Sequence, residues 1–111
     1  DVAKLLKESL SDKDYYKIFT MPTYVSTKTE RHPDGIKLSN DVISAFNKYK
    51  RKDFKVLGGK FGYTQEAGKS IAVLAEKNGK KYIVITLGCY NKGGNHGHMD
   101  DVITAMKKIN G

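Results

Sequence analysis

A lysine held between glycines is the residue of this sequence whose setting best suits binding chemistry. It lies in the segment Gly58-Gly59-Lys60-Phe61-Gly62-Tyr63-Thr64, just before two apolar runs that Asn78-Gly79 separates. A lysine at a sheet edge presents a cation to an anionic group, and flanking glycines let a ligand approach the backbone closely. The pattern is weak by itself, because a strand lysine is also common as a solvated surface residue.

Several other chemically capable residues stand in contexts that favour structural roles. His96 and His98 form a His-x-His pair in a predicted loop rich in Gly and Asn, and His32 is remote from them. Because a zinc site requires three or four ligands, we predict a polar loop here and no metal site. Asp100-Asp101 begins a predicted helix, where acidic residues complement the helix dipole.

Other catalytic patterns are missing from the sequence. The glycines around Lys60 lack the Gly-Lys-Ser/Thr ending and the following helix of a phosphate-binding loop. No Gly-x-Ser-x-Gly elbow supports a Ser-His-Asp triad. Cys89 is the single cysteine, so it forms no internal disulfide, and its place after an apolar strand predicts a packed thiol. We therefore predict no cofactor.

The part of the chain before Lys60 predicts helices and a small β-ribbon. Apolar spacing indicates a helix over residues 1–10, with Asp1 as a candidate N-cap, and a helical turn over 14–19. Pro33-Asp34-Gly35 predicts a turn between two β-prone segments. Ser39 is then a suitable N-cap for another helix. The two β-prone segments and this helix are predicted at 23–27, 36–38 and 40–49.

The rest of the chain predicts an antiparallel sheet and a terminal helix. Strands are predicted at 54–64, where Gly58-Gly59 interrupts, and at 70–75 and 82–87. Asn78-Gly79 is the strongest short-range hairpin signal in the sequence. After a loop at 88–97, an apolar stripe predicts a helix containing Met99, Val102, Ile103, Met106 and Ile109. We predict an α+β fold: a three-stranded antiparallel meander over about 54–88 with the C-terminal helix on one face.

Composition indicates one globular domain or a fragment of one. The chain has 111 residues, of which 39% are hydrophobic and 29% charged. We divide it into a helical part with a small ribbon at 1–49 and a meander plus helix at 54–111. No apolar run approaches the ~20 residues that span a bilayer. No signal peptide is present, so the chain looks like a processed or trimmed piece of a longer protein.

The net charge of +8 suits an anionic partner such as nucleic acid, teichoic acid or an acidic membrane surface. The lysines are scattered, however, apart from a short cluster at Lys48, Lys50, Arg51 and Lys52. Aromatic residues do not alternate with the basic ones as in a nucleic-acid-binding face. We favour a solvated lysine-rich surface and expect no nucleic-acid partner. A basic nucleic-acid-binding domain stays as a weaker alternative, which would show salt-dependent affinity.

The glycine-flanked lysine also belongs to a longer pattern that resembles a known family. Residues 57–70, Leu-Gly-Gly-Lys-Phe-Gly-Tyr-Thr-Gln-Glu-Ala-Gly-Lys-Ser, resemble the Lys-Thr-Gly region of serine-type D-alanyl-D-alanine carboxypeptidases. These are the low-molecular-mass penicillin-binding proteins. The spacing matches from Lys60 through Gly68 to Leu87-Gly88, and segments 1–6 and 39–40 match upstream segments of the family. The resemblance covers nearly the whole chain but only the C-terminal part of the family's catalytic domain.

The resemblance implies roles for the segment from Lys60 to Thr64. Lys60 would supply positive charge that orients the substrate and tunes proton transfer, and the N–H of Tyr63 would be an oxyanion-hole donor. Gly62 would let the substrate backbone lie along the strand. Phe61 and Thr64 complete the implied substrate-binding set. The family's carboxylate-binding arginine is not matched, and Lys92 or His96 would be a weak substitute.

Two departures from the family pattern bear on activity. The family's Ser-x-x-Lys nucleophile motif and its Ser-x-Asn motif do not occur in this sequence. Phe61 stands where the family has Thr or Ser, whose hydroxyl would hydrogen-bond the substrate carboxylate or a β-lactam. Deleting one partner of such a hydrogen bond strongly weakens a site that is built around it. We therefore expect the chain to be inactive alone.

The expected function is the C-terminal part of a peptidoglycan carboxypeptidase at the bacterial cell envelope. The partners implied are a stem peptide or a β-lactam once the full domain is present, with any membrane contact made by parts outside this chain. In the parent fold the sheet has five strands, so this chain would leave an apolar edge exposed. It would then pair with the N-terminal half, form a homodimer or rearrange its sheet. The alternative is a non-catalytic peptidoglycan- or protein-binding module.

Overall fold

An antiparallel sheet lies at the centre of the fold in the computed structural model of the chain. The structure describes residues 1–48, 53–90 and 97–109. Across those ranges the elements are, in order, α1 (Val2–Ser9), α2 (Lys13–Phe19), β1 (Thr23–Val25), β2 (Lys37–Ser39), α3 (Asp41–Asn47), β3 (Lys55–Thr64), β4 (Gly68–Lys77), β5 (Lys80–Cys89) and α4 (Gly97–Lys107). The predicted α+β class is confirmed.

The strands β3, β4 and β5 form an antiparallel meander, and β1 pairs with β2 in a separate ribbon. The hairpin predicted at Asn78-Gly79 is present, with φ values of 53° and 78° at its two turn residues. Two consecutive positive φ angles are typical of a type I′ turn, whose twist matches that of the flanking strands. The turn therefore fixes the register in which Lys77 pairs with Lys80.

The predicted interruption at Gly58-Gly59 is wrong, because β3 runs continuously through both glycines after a register shift between Val56 and Gly58. A Cβ at Gly58 would collide with the backbone carbonyl of Phe19. A Cβ at Gly59 would lie 2.6 Å from Cγ1 of Val42. The glycines thus let α2 and α3 pack closely on opposite faces of β3.

The main core lies on the sheet face that α3 and α4 cover, which confirms that the C-terminal helix packs on one face. The buried side chains there come from both helices and from the strands beneath them. They include Val42, Phe46, Val56, Ile71, Val73, Met99, Val102 and Met106. The apolar residues of α4 follow helical spacing, so one stripe of the helix is buried while Asp100 and Asp101 face solvent.

The opposite face of the sheet is covered less completely, by α1 and α2. Leu6 and Leu74 are buried there, but Leu5, Ile18 and Leu87 stay about 70% exposed. No helix of the described ranges is long and apolar enough to cross a membrane.

The helix caps differ from the sequence prediction. Asn40, not Ser39, caps α3: its Oδ1 accepts hydrogen bonds from the backbone N–H of Val42 at 3.0 Å and of Ile43 at 3.1 Å. Ser39 is instead the last residue of β2. Asp1 precedes α1 without a side-chain cap hydrogen bond, whereas the Asp12 side chain caps α2. Because β2 ends at Ser39, Asn40 is the first residue free to cap α3.

A buried lysine joins the end of β4 to the end of α4. Lys77 is 7% exposed, and its Nζ donates to the carbonyl of Met106 at 2.8 Å. The same amine lies 3.1 Å from Oδ2 of Asp53, just before β3. The Lys77 hydrogen bond lowers the pKa of Asp53 below its ordinary 3.8. A cation at a helix C-terminus also complements the helix dipole.

Candidate functional site

The segment from Lys60 to Thr64 occupies the second half of β3. Gly62 pairs with Ser70 of β4, and Tyr63 pairs with Lys69. Because the sheet order is β3-β4-β5, β3 is an edge strand among the residues that the structure describes. An edge strand leaves one row of backbone N–H and C=O groups available for a further strand.

Side-chain contacts show which backbone groups point to this open edge. The carbonyl of Gly62 accepts from Oγ of Ser70 at 3.2 Å, which places it on the β4 side. The carbonyl of Phe61 accepts from Nζ of Lys60 at 2.8 Å, and that of Gly59 from Nδ2 of Asn40 at 3.5 Å. Backbone groups alternate in direction along an antiparallel strand. Gly59, Phe61 and Tyr63 therefore direct their N–H and C=O groups to the open edge.

Lys60 contributes the cation of a groove between the sheet and the helices α1 and α2. The groove has a volume of about 510 Å³, and its walls are largely apolar, including Leu5, Leu6, Phe19, Ile85 and Leu87. Ser70 also lines it, and a Cβ at Gly62 would lie 2.7 Å from Oγ of Ser70. The absence of a side chain at Gly62 thus keeps this part of the groove open beside Lys60.

Phe61 turns its ring away from Lys60, to the other face of the sheet. The ring is half-buried against the main core, and its centroid lies 5.0 Å from that of His98 at an interplanar angle of 55°. His98 belongs to α4 and is 8% exposed, so its predicted place in a polar loop is wrong. A tilted ring pair of this kind adds specific packing to the apolar contact.

Tyr63 and Thr64 end the strand in different settings. The Tyr63 side chain is 67% exposed, which leaves its ring accessible beside the open edge. The Thr64 hydroxyl accepts from the backbone N–H of Ala67 at 3.0 Å and so stabilises the β3–β4 turn. Thr64 belongs to the predicted substrate-binding set, and in the structure its hydroxyl stabilises this turn.

The structure brings together the predicted residues of β3, and other candidates fall elsewhere. Lys92 and His96 lie outside the described residues, as do Tyr49, Lys50, Arg51 and Lys52. Cys89 ends β5 and is half-buried, short of the packed thiol that was predicted. Over the described ranges, no group of three or more His, Cys, Asp or Glu side chains is placed to hold a metal ion.

Sequence reasoning missed two residues that shape the site. Ser70 faces the Lys60 groove from β4, and its position follows from the strand alternation once the register with Gly62 is known. His98 packs on Phe61, and no local signal in the sequence predicts that contact.

No family model matches the sequence, and no curated protein matches it. Solved structures do match its fold. A D-alanyl-D-alanine carboxypeptidase from Mycobacterium tuberculosis H37Rv superposes with a TM-score of 0.68 and 18% identity over 93% of this chain. A penicillin-binding protein homologue from Mycobacterium tuberculosis gives a TM-score of 0.65 and 16% identity, also over 93% of this chain.

These likenesses establish the fold. The chain has the architecture of part of a penicillin-binding protein, with its α+β organisation and antiparallel sheet. It spans 36% of the carboxypeptidase and 37% of the penicillin-binding protein homologue. The resemblance first noted around Lys60 is therefore confirmed at the level of the fold.

Proposed function

We propose that this chain is the C-terminal part of a serine-type D-Ala-D-Ala carboxypeptidase that acts on peptidoglycan stem peptides. One observation carries the proposal: among the strands that the structure describes, the Lys60-Phe61-Gly62-Tyr63 segment lies on an edge strand, in a fold shared with a D-alanyl-D-alanine carboxypeptidase. The role of the chain is to supply the strand along which the substrate is held. The work of such an enzyme places the whole protein at the bacterial cell envelope.

The substrate lies as an extended strand beside β3 and pairs with the backbone groups at its open edge. The N–H of Tyr63 donates to the carbonyl oxygen of the bond that is cleaved, where negative charge develops. Lys60 provides positive charge beside this point, and its solvent-exposed amine is within reach of the strand edge. Gly62 leaves space on the face where Lys60 and Ser70 line the groove.

The nucleophile comes from another segment, because no Ser-x-x-Lys motif occurs in these 111 residues. That serine attacks the carbonyl of the penultimate D-Ala, the bond to the terminal D-Ala breaks, and water then hydrolyses the acyl-enzyme. The chain alone is inactive in this scheme.

The partly covered face of the sheet is evidence that another protein segment packs on it. Leu5, Ile18 and Leu87 are about 70% exposed there, and β5 has no second neighbour within the described part of the sheet. We infer that the N-terminal half of the same protein covers this face and extends the sheet beyond β5. A homodimer is the alternative way to bury the same surface.

Covalent labelling with a fluorescent penicillin tests the proposed function. The chain alone should stay unlabelled. The longer product of the same gene should be labelled on a serine outside these 111 residues, and the variant Lys60→Met should slow the labelling. Lys80→Met is the matched control, because Lys80 is exposed on the β4–β5 hairpin, away from the open edge. An adduct on the chain itself would contradict the proposal.

A non-catalytic peptidoglycan- or protein-binding module is the second candidate, and Phe61 favours it. Its ring packs against the core and His98, so the position offers no hydroxyl to a substrate carboxylate. The coding sequence upstream of Asp1 separates the two candidates. If Ser-x-x-Lys and Ser-x-Asn are both encoded there, the enzyme is supported. If either motif is absent, the binding module is supported.

A further inference from the structure

A cavity between α1 and the hairpin end of β4 and β5 shares no residue with the Lys60 groove. Its volume is about 700 Å³, within the usual range of small-molecule sites. Its floor is apolar: Leu74 is 3% exposed, and Leu10 and Ile83 beside it are half-buried. We call it the hairpin-end cavity. Such a floor favours a ligand with an apolar part.

Three lysines line the hairpin-end cavity: Lys4, Lys7 and Lys81. Lys4 and Lys7 are three residues apart on α1, so their side chains lie on the same side of the helix. Lys81 comes from β5, and its Nζ lies 4.8 Å from the ring centroid of Tyr16. This cation–π contact holds the amine beside the cavity. The three amines favour an anionic group above the apolar floor.

The lysines of the cavity have no acidic partner in the described part of the chain. None of their three amines forms an ion pair with a carboxylate there. Glu76 lies opposite Lys81 in the sheet but outside the cavity lining. Because like charges repel, an anion bound among the lysines would relieve their mutual repulsion.

We propose that the hairpin-end cavity binds an amphiphilic anion, with a phosphate head group among the three lysines and an alkyl chain on Leu74 and Ile83. A phosphate monoester carries about −1.5 to −2 charges at neutral pH, which suits three cations. Lysine binds phosphate as a point charge. The ligand is a soluble alkyl phosphate or the head group and adjoining chain of a membrane lipid. The site is independent of the proposed carboxypeptidase.

The segment inferred to cover this face of the sheet leaves the cavity accessible. Leu5 and Leu87, whose exposure indicates that segment, line the Lys60 groove. Lys81 is near the opposite end of β5 from Leu87, about 20 Å away at the usual rise per residue of a strand. We therefore expect the longer product of the same gene to bind the same ligand.

Amide shifts in two-dimensional ¹H–¹⁵N spectra, followed during ligand titration, test this inference. The ligands are n-octyl phosphate below its micelle-forming concentration, inorganic phosphate, and n-octyl glucoside as an uncharged amphiphile. We expect octyl phosphate to bind roughly tenfold more tightly than inorganic phosphate, because its chain is buried on the apolar floor. It should also bind more tightly than octyl glucoside, with its largest shifts around Lys81 and Ile83.

Three variants assign the binding to the hairpin-end cavity. Lys81→Met should weaken octyl phosphate binding by roughly threefold to fivefold, the range for an exposed charge pair. Lys80→Met is the matched control, because it removes the same charge from a neighbour whose side chain lies on the other face of the sheet. Ile83→Thr keeps a β-branched residue in the strand, and should weaken octyl phosphate but not inorganic phosphate.

Co-sedimentation with phosphatidylcholine vesicles, with and without phosphatidic acid, identifies the source of the head group. Vesicle binding that requires phosphatidic acid and is weakened by Lys81→Met but not by Lys80→Met would support a membrane lipid. Octyl phosphate binding without vesicle binding would support a soluble amphiphile.

Several outcomes would overturn the proposal. They are equal affinities for octyl phosphate and either of the other two ligands, or equal effects of Lys81→Met and Lys80→Met. Binding to the chain but not to the longer gene product would also overturn it, because the N-terminal half would then fill the cavity. Labelling of the longer product with fluorescent penicillin should be unchanged by Lys81→Met, so failure here leaves the proposed function standing.

Discussion

Replacing Lys77 with methionine tests the buried contact that fastens α4 to the sheet. Lys77 is 7% exposed, with its Nζ 2.8 Å from the carbonyl of Met106 and 3.1 Å from Oδ2 of Asp53. Methionine keeps most of the apolar chain and removes the amine. The carbonyl at the end of α4 then loses its charged donor, and Asp53 loses its cation.

The expected loss of unfolding free energy is the balance of three effects. A hydrogen bond to a charged group stabilises by about 1.5–3 kcal/mol. The ion pair with Asp53 adds little, because the Asp53 side chain is 57% exposed and solvent screens the attraction. Burying the lysine charge opposes both effects. We expect Lys77→Met to destabilise the chain by about 1–3 kcal/mol, and each kcal/mol lowers the Tm by roughly 4–8 °C in a domain near this size.

Urea unfolding followed by circular dichroism at neutral pH measures this loss. Lys80→Met is the control, because it makes the same substitution at an exposed lysine on the same hairpin. Equal stabilities of Lys77→Met and Lys80→Met would refute the claim that Lys77 stabilises the packing of α4 on the sheet.

Acidification provides an independent check on the same contact. The Lys77 hydrogen bond lowers the pKa of Asp53, so its contribution is fully present above the ordinary pKa of 3.8. That contribution is lost as the pH falls through the lowered pKa of the folded state. The stability gap between the wild type and Lys77→Met should therefore narrow in acid below about pH 4. A gap that stays constant from neutral pH into strong acid would show that Asp53 takes no part.

Three further predictions concern local packing and assembly. Asn40→Ala should destabilise the chain by about 1 kcal/mol, because Asn40 caps α3, while Ser39→Ala should have a smaller effect in the same urea titration. Gly59→Ala should cost about 1–3 kcal/mol, because its Cβ would lie 2.6 Å from Cγ1 of Val42; unchanged stability would show that α3 readily moves. Analytical ultracentrifugation should find the chain alone self-associated or with a rearranged sheet, and a stable monomer with an unaltered sheet would contradict that expectation.

Local sequence signals predicted most of the sheet and the terminal helix. Asn78-Gly79 specifies its hairpin because both residues accept the positive φ angles of the turn. The apolar stripe of α4 likewise predicts which side is buried, and Val102 and Met106 are fully buried there. These features depend on neighbours a few residues apart, which the sequence displays directly.

Contacts between distant segments were the part that the sequence did not show. Ser39 and Asn40 are both good caps, and the choice between them follows from where β2 ends against β1. Lys77 donates to the carbonyl of Met106, 29 residues further along the chain. Nothing near Lys77 in the sequence indicates this contact, because α4 supplies the acceptor. Gly58 and Gly59 predicted an interruption of the strand from the sequence. In the structure they allow α2 and α3 to pack closely on the two faces of β3.

The sequence was enough to identify the segment that forms the candidate site, but not the three-dimensional arrangement of its residues. The resemblance around Lys60 identified the strand and its order of residues. The open edge, the contact between Phe61 and His98, and Ser70 facing the groove all require the register of β3 against β4. Phe61 was expected to weaken a substrate site. In the structure its ring packs on His98 and against the main core, a contact that its residue type alone does not indicate.

Backbone amide shifts on titration with an N-acetylated L-Lys-D-Ala-D-Ala tripeptide test most directly whether β3 holds the substrate. The spectra are two-dimensional ¹H–¹⁵N correlations of the labelled chain, with the L-Ala-L-Ala diastereomer as the control ligand. We predict the largest shifts at the outward-facing amides of Phe61 and Tyr63, and weaker shifts with the control. Shifts confined to β5 or to the β1–β2 ribbon, or identical responses to both ligands, would contradict the account.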